Sequence, residues 1–174
     1  MITLALLLQV SAAAPLPYRD RTRPVEARVQ DLLARMTPEE KFWQLYMTPG
    51  TLDEPGTNWS HGVYGIQLPE AATRGRTALE QHQQMRSIQD YFRDSTRLGI
   101  PIIPFEEGVH GLMRPGAVVF PSAIALASSW DPDVLEVVGQ SVGADAWSVG
   151  IRQVLAPVVN IASDVRWGRT EETY

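Results

Sequence analysis

The sequence predicts an α/β fold built on a parallel sheet. Three observations carry that prediction. Helical and strand-like segments alternate along the chain, and the apolar runs are short and bounded by proline or glycine, as buried strands are. The composition, 44% hydrophobic and 20% charged, supplies apolar material for a core and is not that of a disordered chain. Strands joined by helical crossovers fit two architectures, an open doubly wound sheet or part of an eight-stranded barrel, and the pattern alone does not choose between them.

The elements follow in order. Residues 1–14 are an apolar run, Ile2 to Val10, followed by Ser11 and three alanines. That is the outline of a secretory signal peptide, although no Lys or Arg precedes the apolar run, and it is too short to span a bilayer. It implies a secreted or periplasmic protein with no membrane span. Residues 15–23 are polar and proline-bearing, a linker. From Pro24 a helix is expected, with Val25, Val29, Leu32, Leu33 and Met36 on one face. Thr37-Pro38-Glu39-Glu40 reads as a helix start with a capping box, ahead of Phe42, Trp43, Leu45 and Tyr46. Residues 48–61 are rich in Gly, Pro, Thr and Asp and read as a loop.

A strand is expected over 63–68, then a long helix over 73–97 facing inward through Leu79, Met85, Ile88 and Phe92. Residues 100–105 read as a second buried strand. Residues 117–127 contain Pro121 and read as a packed loop with a short helix. Asp131-Pro132 opens a further helix with its stripe at Leu135, Val138, Val142, Ala146 and Val149. Residues 154–159 read as a third buried strand.

Several function classes lose support at once. A net charge of −5 disfavours a nucleic-acid partner, whose phosphates need a basic surface. The absence of cysteine removes disulfides, thiolate metal sites and a cysteine nucleophile. No glycine-rich dinucleotide or phosphate loop follows the first expected strand.

In either architecture ligands bind beyond the carboxyl ends of the parallel strands. Two segments follow such ends: Glu106-Glu107-Gly108-Val109-His110-Gly111, and Asn160 onward through Asp164 to Tyr174. Both combine charged groups with glycine, and the second adds aromatic rings. Carboxylates and guanidinium groups hydrogen-bond hydroxyls, and ring faces pack on a sugar, so a polyol is the ligand class these segments suit.

Four segments together resemble glycoside hydrolase family 3, the β-glucosidase and β-xylosidase family. They are Arg28 through Lys41; Glu107-Gly108-Val109-His110-Gly111; Phe120 through Ala127 with Trp130-Asp131-Pro132; and Leu155 through Glu172, including Arg166-Trp167-Gly168-Arg169. The resemblance covers about residues 24–174. It implies the barrel: a partial (β/α)8 TIM-type barrel comprising about the first three βα units. It implies that Glu107 and Arg169 bind hydroxyls of the sugar that is cleaved off. His110, Arg166 and Trp167 are expected to support the loops, His110 structurally rather than as a general base. Val165, where the family usually has proline, and the bulky Phe42-Trp43 pair mark a divergent subgroup.

Other charged residues are assigned ordinary roles. Glu106 is read as a solvated charge at the strand end, Glu171 and Glu172 as loop charges, and Asp164 as a turn former or a partner for Arg166. Retaining hydrolysis needs two carboxyl groups about 5–5.5 Å apart, one nucleophile and one acid/base, and no cofactor or metal. The resemblance places both beyond this chain. A barrel typically takes about 250 residues, so the chain is expected to be a truncated gene product, inactive and poorly stable alone. The rival reading is a non-catalytic sugar-binding or partner protein derived from a barrel fragment.

Overall fold

The computed structural model describes residues 16–174, which divide into two compact units at Thr37. The segment read as a signal peptide lies outside the described residues. No helix among those residues is long and apolar enough to cross a membrane.

In the first unit, the segment read as a linker carries a 3₁₀ turn at Pro17–Arg19. The Tyr18 N–H donates to Asp31 Oδ2 at 3.1 Å and the Arg28 Nε–H donates to the Tyr18 carbonyl at 2.9 Å, so this turn is tied to helix α1, Val25–Arg35. Pro24 stands just before α1, where its missing N–H costs nothing. Val25, Val29 and Leu33 on the expected apolar face are exposed.

The second unit begins with α2, Pro38–Trp43. Glu40, expected in a capping box, is buried, and its carboxylate takes the Arg97 guanidinium through both oxygens. Strand β1, Met47–Pro49, follows and overlaps the start of the stretch read as loop. It pairs in parallel with β2, Gly65–Gln67, Met47 opposite Gly65. After the short α3, Glu70–Thr73, comes the long α4, Ala78–Ser95. Its start is a full capping box: Thr77 Oγ1 accepts the Glu80 N–H, and the Glu80 carboxylate accepts the Thr77 N–H at 2.7 Å. Met85, Ile88 and Phe92 face inward as expected. Leu79 does not; it is exposed, and Gln81 is buried instead.

Strand β3, Phe105–Glu107, starts where the expected strand ends, because Pro101 and Pro104 have no N–H to give a ladder. It pairs in parallel with β4, Gln153–Leu155. Between them lie α5, Ala123–Ala127, and α6, Pro132–Ser148, the latter capped by Asp131 Oδ1 on the Asp133 N–H. The two strand pairs meet where the Ile103 N–H donates to the Tyr64 carbonyl at 2.8 Å. The stave order is therefore β1, β2, β3, β4, one strand more than the sequence pattern announces. The expected burial of the last strand is not found: β4 is partly exposed and Val159 is 82% exposed.

The core of this unit lies between the strands, α4 and the end of α6. Val63, Ile66 and Phe92 are completely buried there, with Ile102, Leu112, Ala146 and Ile151 around them. The front of α6 does not join it. Leu135, Val138 and Val142 instead line an apolar cavity of about 460 Å³ with Phe120 and Val154.

Candidate functional site

The carboxyl end of β3, the loop that follows it and the final segment of the chain form a cavity of about 310 Å³. Glu107, the last residue of β3, lines it, as do Val109 to Met113 of the following loop. From the far segment come Arg169, Glu171 and Glu172, the acids lying in a 3₁₀ turn at Thr170–Glu172. Residues some sixty positions apart are thus brought to one opening.

Local bonds explain how. The Met113 N–H returns to the Glu107 carbonyl at 3.0 Å, closing the loop that carries His110. The Phe120 N–H donates to the His110 carbonyl at 2.9 Å and fixes the far side of that loop. Val158 bridges to Thr173, which is buried and whose hydroxyl donates to the Thr170 carbonyl at 3.0 Å. This folds the final segment back beside β4 and delivers Arg169 to the opening.

Three carboxylates, Glu107, Glu171 and Glu172, line the cavity with Arg169 among them. The Arg169 Nε–H donates to Glu172 Oε1 at 2.7 Å, and a second bond joins Nη2 to Oε2. That bidentate bond raises the guanidinium pKa, with further contributions from the charges of Glu172, Glu107 and Glu171. Reciprocally, the Arg169 hydrogen bond holds the Glu172 carboxyl below the usual carboxylate range, and the Arg169 and His110 charges act in the same direction. Glu172 is therefore ionised at neutral pH and a poor proton donor.

The expected site residues separate into two sets. Glu107, His110 and Arg169 line one cavity. Arg166 and Trp167 do not line it. Arg166 is highly exposed and chelates Asp164 through Nε at 2.9 Å, and this bond, with the Arg166 backbone N–H, lowers the Asp164 pKa to about 2. The Trp167 N–H donates to the Asp164 carbonyl at 3.0 Å. Asp164 is thus the turn former and Arg166 partner that the sequence suggested.

The reading of Glu106 is overturned. It is 2% exposed, not solvated. Its carboxylate meets Arg114 Nε at 2.5 Å, accepts a short bond from Gln67 Nε2, and accepts the Glu107 N–H at 2.9 Å. Arg114, which sequence reasoning did not single out, is as buried as its partner, and its Nη1–H donates to the Leu68 carbonyl at 3.1 Å. Burial lowers the Arg114 pKa and the Glu106 charge raises it again. The available signal was an arginine within one loop of two adjacent acids at a strand end. No group of three or more His, Asp or Glu side chains suited to a metal ion occurs among the described residues.

Residues 39–174 match the family described as Glycosyl hydrolase family 3 N terminal domain. The "Probable beta-glucosidase C" of Aspergillus flavus is 33% identical over 93% of this chain and 28% of its own length. The periplasmic beta-glucosidase of Salmonella typhimurium is 32% identical over 86% of this chain and 18% of its own length. A solved β-glucosidase structure from Erythrobacter marinus superposes with a TM-score of 0.74 at 30% identity, covering 91% of this chain and 22% of that one. The chain therefore spans about a quarter or less of the length of these similar proteins.

Proposed function

The chain belongs to glycosyl hydrolase family 3, and from that premise we propose that it is the amino-terminal part of a retaining, exo-acting β-glycosidase. The four strands among the described residues, paired in parallel, are in this reading staves of that family's α/β barrel. The substrate class we propose is β-linked glucosides or xylosides. The observation that carries the reading is the shared cavity: Glu107 at the end of β3 and Arg169 from the final segment line one opening.

In this reading the Glu107 carboxylate accepts hydrogen bonds from hydroxyls of the sugar to be released, and Arg169 donates to the same ring. Arg169 is held by Glu172, so its fork meets the sugar already oriented, with little entropy left to lose on binding. His110 belongs to the wall. We place neither the nucleophile nor the acid/base among these 174 residues. Of the carboxylates in the cavity, Glu172 is held ionised by Arg169, and Glu171 lies beside it on the same turn. Adjacent acids do not flank one glycosidic bond as the double displacement requires. The chain by itself then binds sugar without cleaving it. The apolar residues 1–14 and the periplasmic relative support an exported protein.

The test has two parts. Methyl β-D-glucoside and methyl β-D-xyloside are titrated into the purified chain by NMR, and each is expected to shift the Glu107 and Arg169 signals. Glu107→Ala and Arg169→Ala should each abolish saturation. An aryl β-glucoside should show no release above buffer; turnover that survives purification to homogeneity overturns the assignment of the catalytic groups.

A further inference from the structure

Glu106 and Arg114 form a buried ion pair, and their chain neighbours Glu107 and Met113 line the cavity. We propose that this pair positions Glu107, setting the orientation in which the strand end presents that carboxylate; the proposal rests on the reading of Glu107 as a sugar contact.

Three observations carry it. First, the pair ties together the end of β2, the end of β3 and the loop that carries Arg114. Glu106 accepts from Gln67 at the end of β2 and from the Glu107 backbone at the end of β3, while Arg114 donates to the Leu68 carbonyl. Second, the loop it closes is short and carries the cavity wall. Glu107 and Arg114 bracket Val109 to Met113, all of which line the opening. Third, the pair is poorly optimised for stability. Desolvating two charges is costly, and an apolar pair of similar volume often serves stability as well or better. Here Arg114 Nη2 is also buried without a hydrogen-bond partner. A pair retained with a donor unmet, and bonded to the backbone of the residue that lines the site, fits a geometric role better than an energetic one.

The mechanism is specific. Glu106 Oε1 holds the Glu107 N–H, and Glu107 holds the Met113 N–H through its carbonyl. Fixing the peptide on both sides of the Glu107 Cα leaves its side chain only its own rotamers to choose among. Arg114 keeps Glu106 in place through Nε and cannot shift without losing Leu68.

The decisive variant is Glu106→Met with Arg114→Met, which removes both charges and keeps the volume filled. Amide hydrogen exchange at Glu107 and Met113 and the affinity for methyl β-D-glucoside are measured on the folded protein. Exchange at both amides is expected to rise at least tenfold, with α4 amides unchanged, and sugar affinity to fall at least tenfold. A folded double variant with wild-type exchange at Glu107 and Met113 overturns the proposal. If that variant does not fold, Arg114→Lys carries the same test. Lysine keeps the charge but cannot hold Glu106 and Leu68 as a rigid fork, so affinity should fall at least threefold, and unchanged affinity overturns the proposal. The two readings fail separately. An unaltered chain that binds no sugar, with exchange still accelerated in the double variant, overturns the cavity reading alone.

Discussion

Gly108→Ala is expected to destabilise the chain by forcing β3 away from β4, and Val154→Ala is expected to rescue it. Gly108 is buried immediately after β3, and a Cβ built there sits 2.2 Å from Val154 Cγ1. Carbon atoms pack best near about 3.5–4.0 Å, so the overlap is more than an ångström. Val154 cannot turn away easily, because a β-branched side chain is stiff at χ1. Forcing one methyl into such a contact costs about 1–3 kcal/mol. Val154→Ala alone removes two methyl groups that are only half-buried, a loss of about 1 kcal/mol. In the double variant the new methyl meets Ala156 Cβ at 3.4 Å and Val142 Cγ1 at 3.8 Å, ordinary contacts. The double variant should therefore resemble Val154→Ala, less destabilised than the sum of the single changes by about 1–3 kcal/mol. Urea unfolding followed by tryptophan fluorescence measures all four corners of the cycle. Additivity within about 0.5 kcal/mol would falsify the packing argument. Gly65→Ala is the control, since its obstruction is the Ile103 carbonyl at 2.6 Å, backbone that no side-chain truncation relieves.

Phe92→Ala empties a completely buried site and should cost about 3–5 kcal/mol, read as a large drop in urea midpoint; a shift under about 1 kcal/mol would mean that α4 is not the core helix. Thr77→Ala removes the cap of α4 and should cost about 0.5–2 kcal/mol, with early loss of helical ellipticity on heating. Glu172 titrates below its ordinary 4.5, so its pairing with Arg169 contributes above that pH and is lost as pH falls through the depressed value. Carboxyl ¹³C shifts should show this, and Arg169→Gln should return Glu172 to the ordinary range; no movement would remove the ion pair from the site.

The helices and the two site segments were legible because each rests on local chemistry. Asp131 and Pro132 announce a helix start, and the stripe through Met85, Ile88 and Phe92 follows the helical period; the helix expected from residue 73, however, begins at Ala78, after the separate short α3. What escaped was short or nonlocal. Strand β1 is three residues ending in Pro49, and alternation cannot register over so few positions. Its identity as a strand depends on Gly65 lying opposite Met47. Glu106 was misjudged because glutamate is usually exposed, and only the return of Arg114 beneath the loop reverses that expectation. Leu135, Val138 and Val142 were correctly placed on one stripe, but they line a cavity, and only the far end of the stripe, Ala146 and Val149, packs in the core.

The parallel pairings also impose an order of assembly. Met47 meets Gly65 about 18 residues along the chain, whereas Phe105 meets Gln153 about 48 residues along. Closing the longer loop costs about 0.9 kcal/mol more in chain entropy, from the logarithmic dependence on loop length. Its reward is only a three-residue ladder. The β1–β2 hub with α4 is then expected to form early, and the juncture of β3 with β4 late. The opening that gathers Glu107 and Arg169 would be the last part of this unit to appear during folding and the first to come apart, so synthesis on the ribosome must pass well beyond α6 before Arg169 can join Glu107.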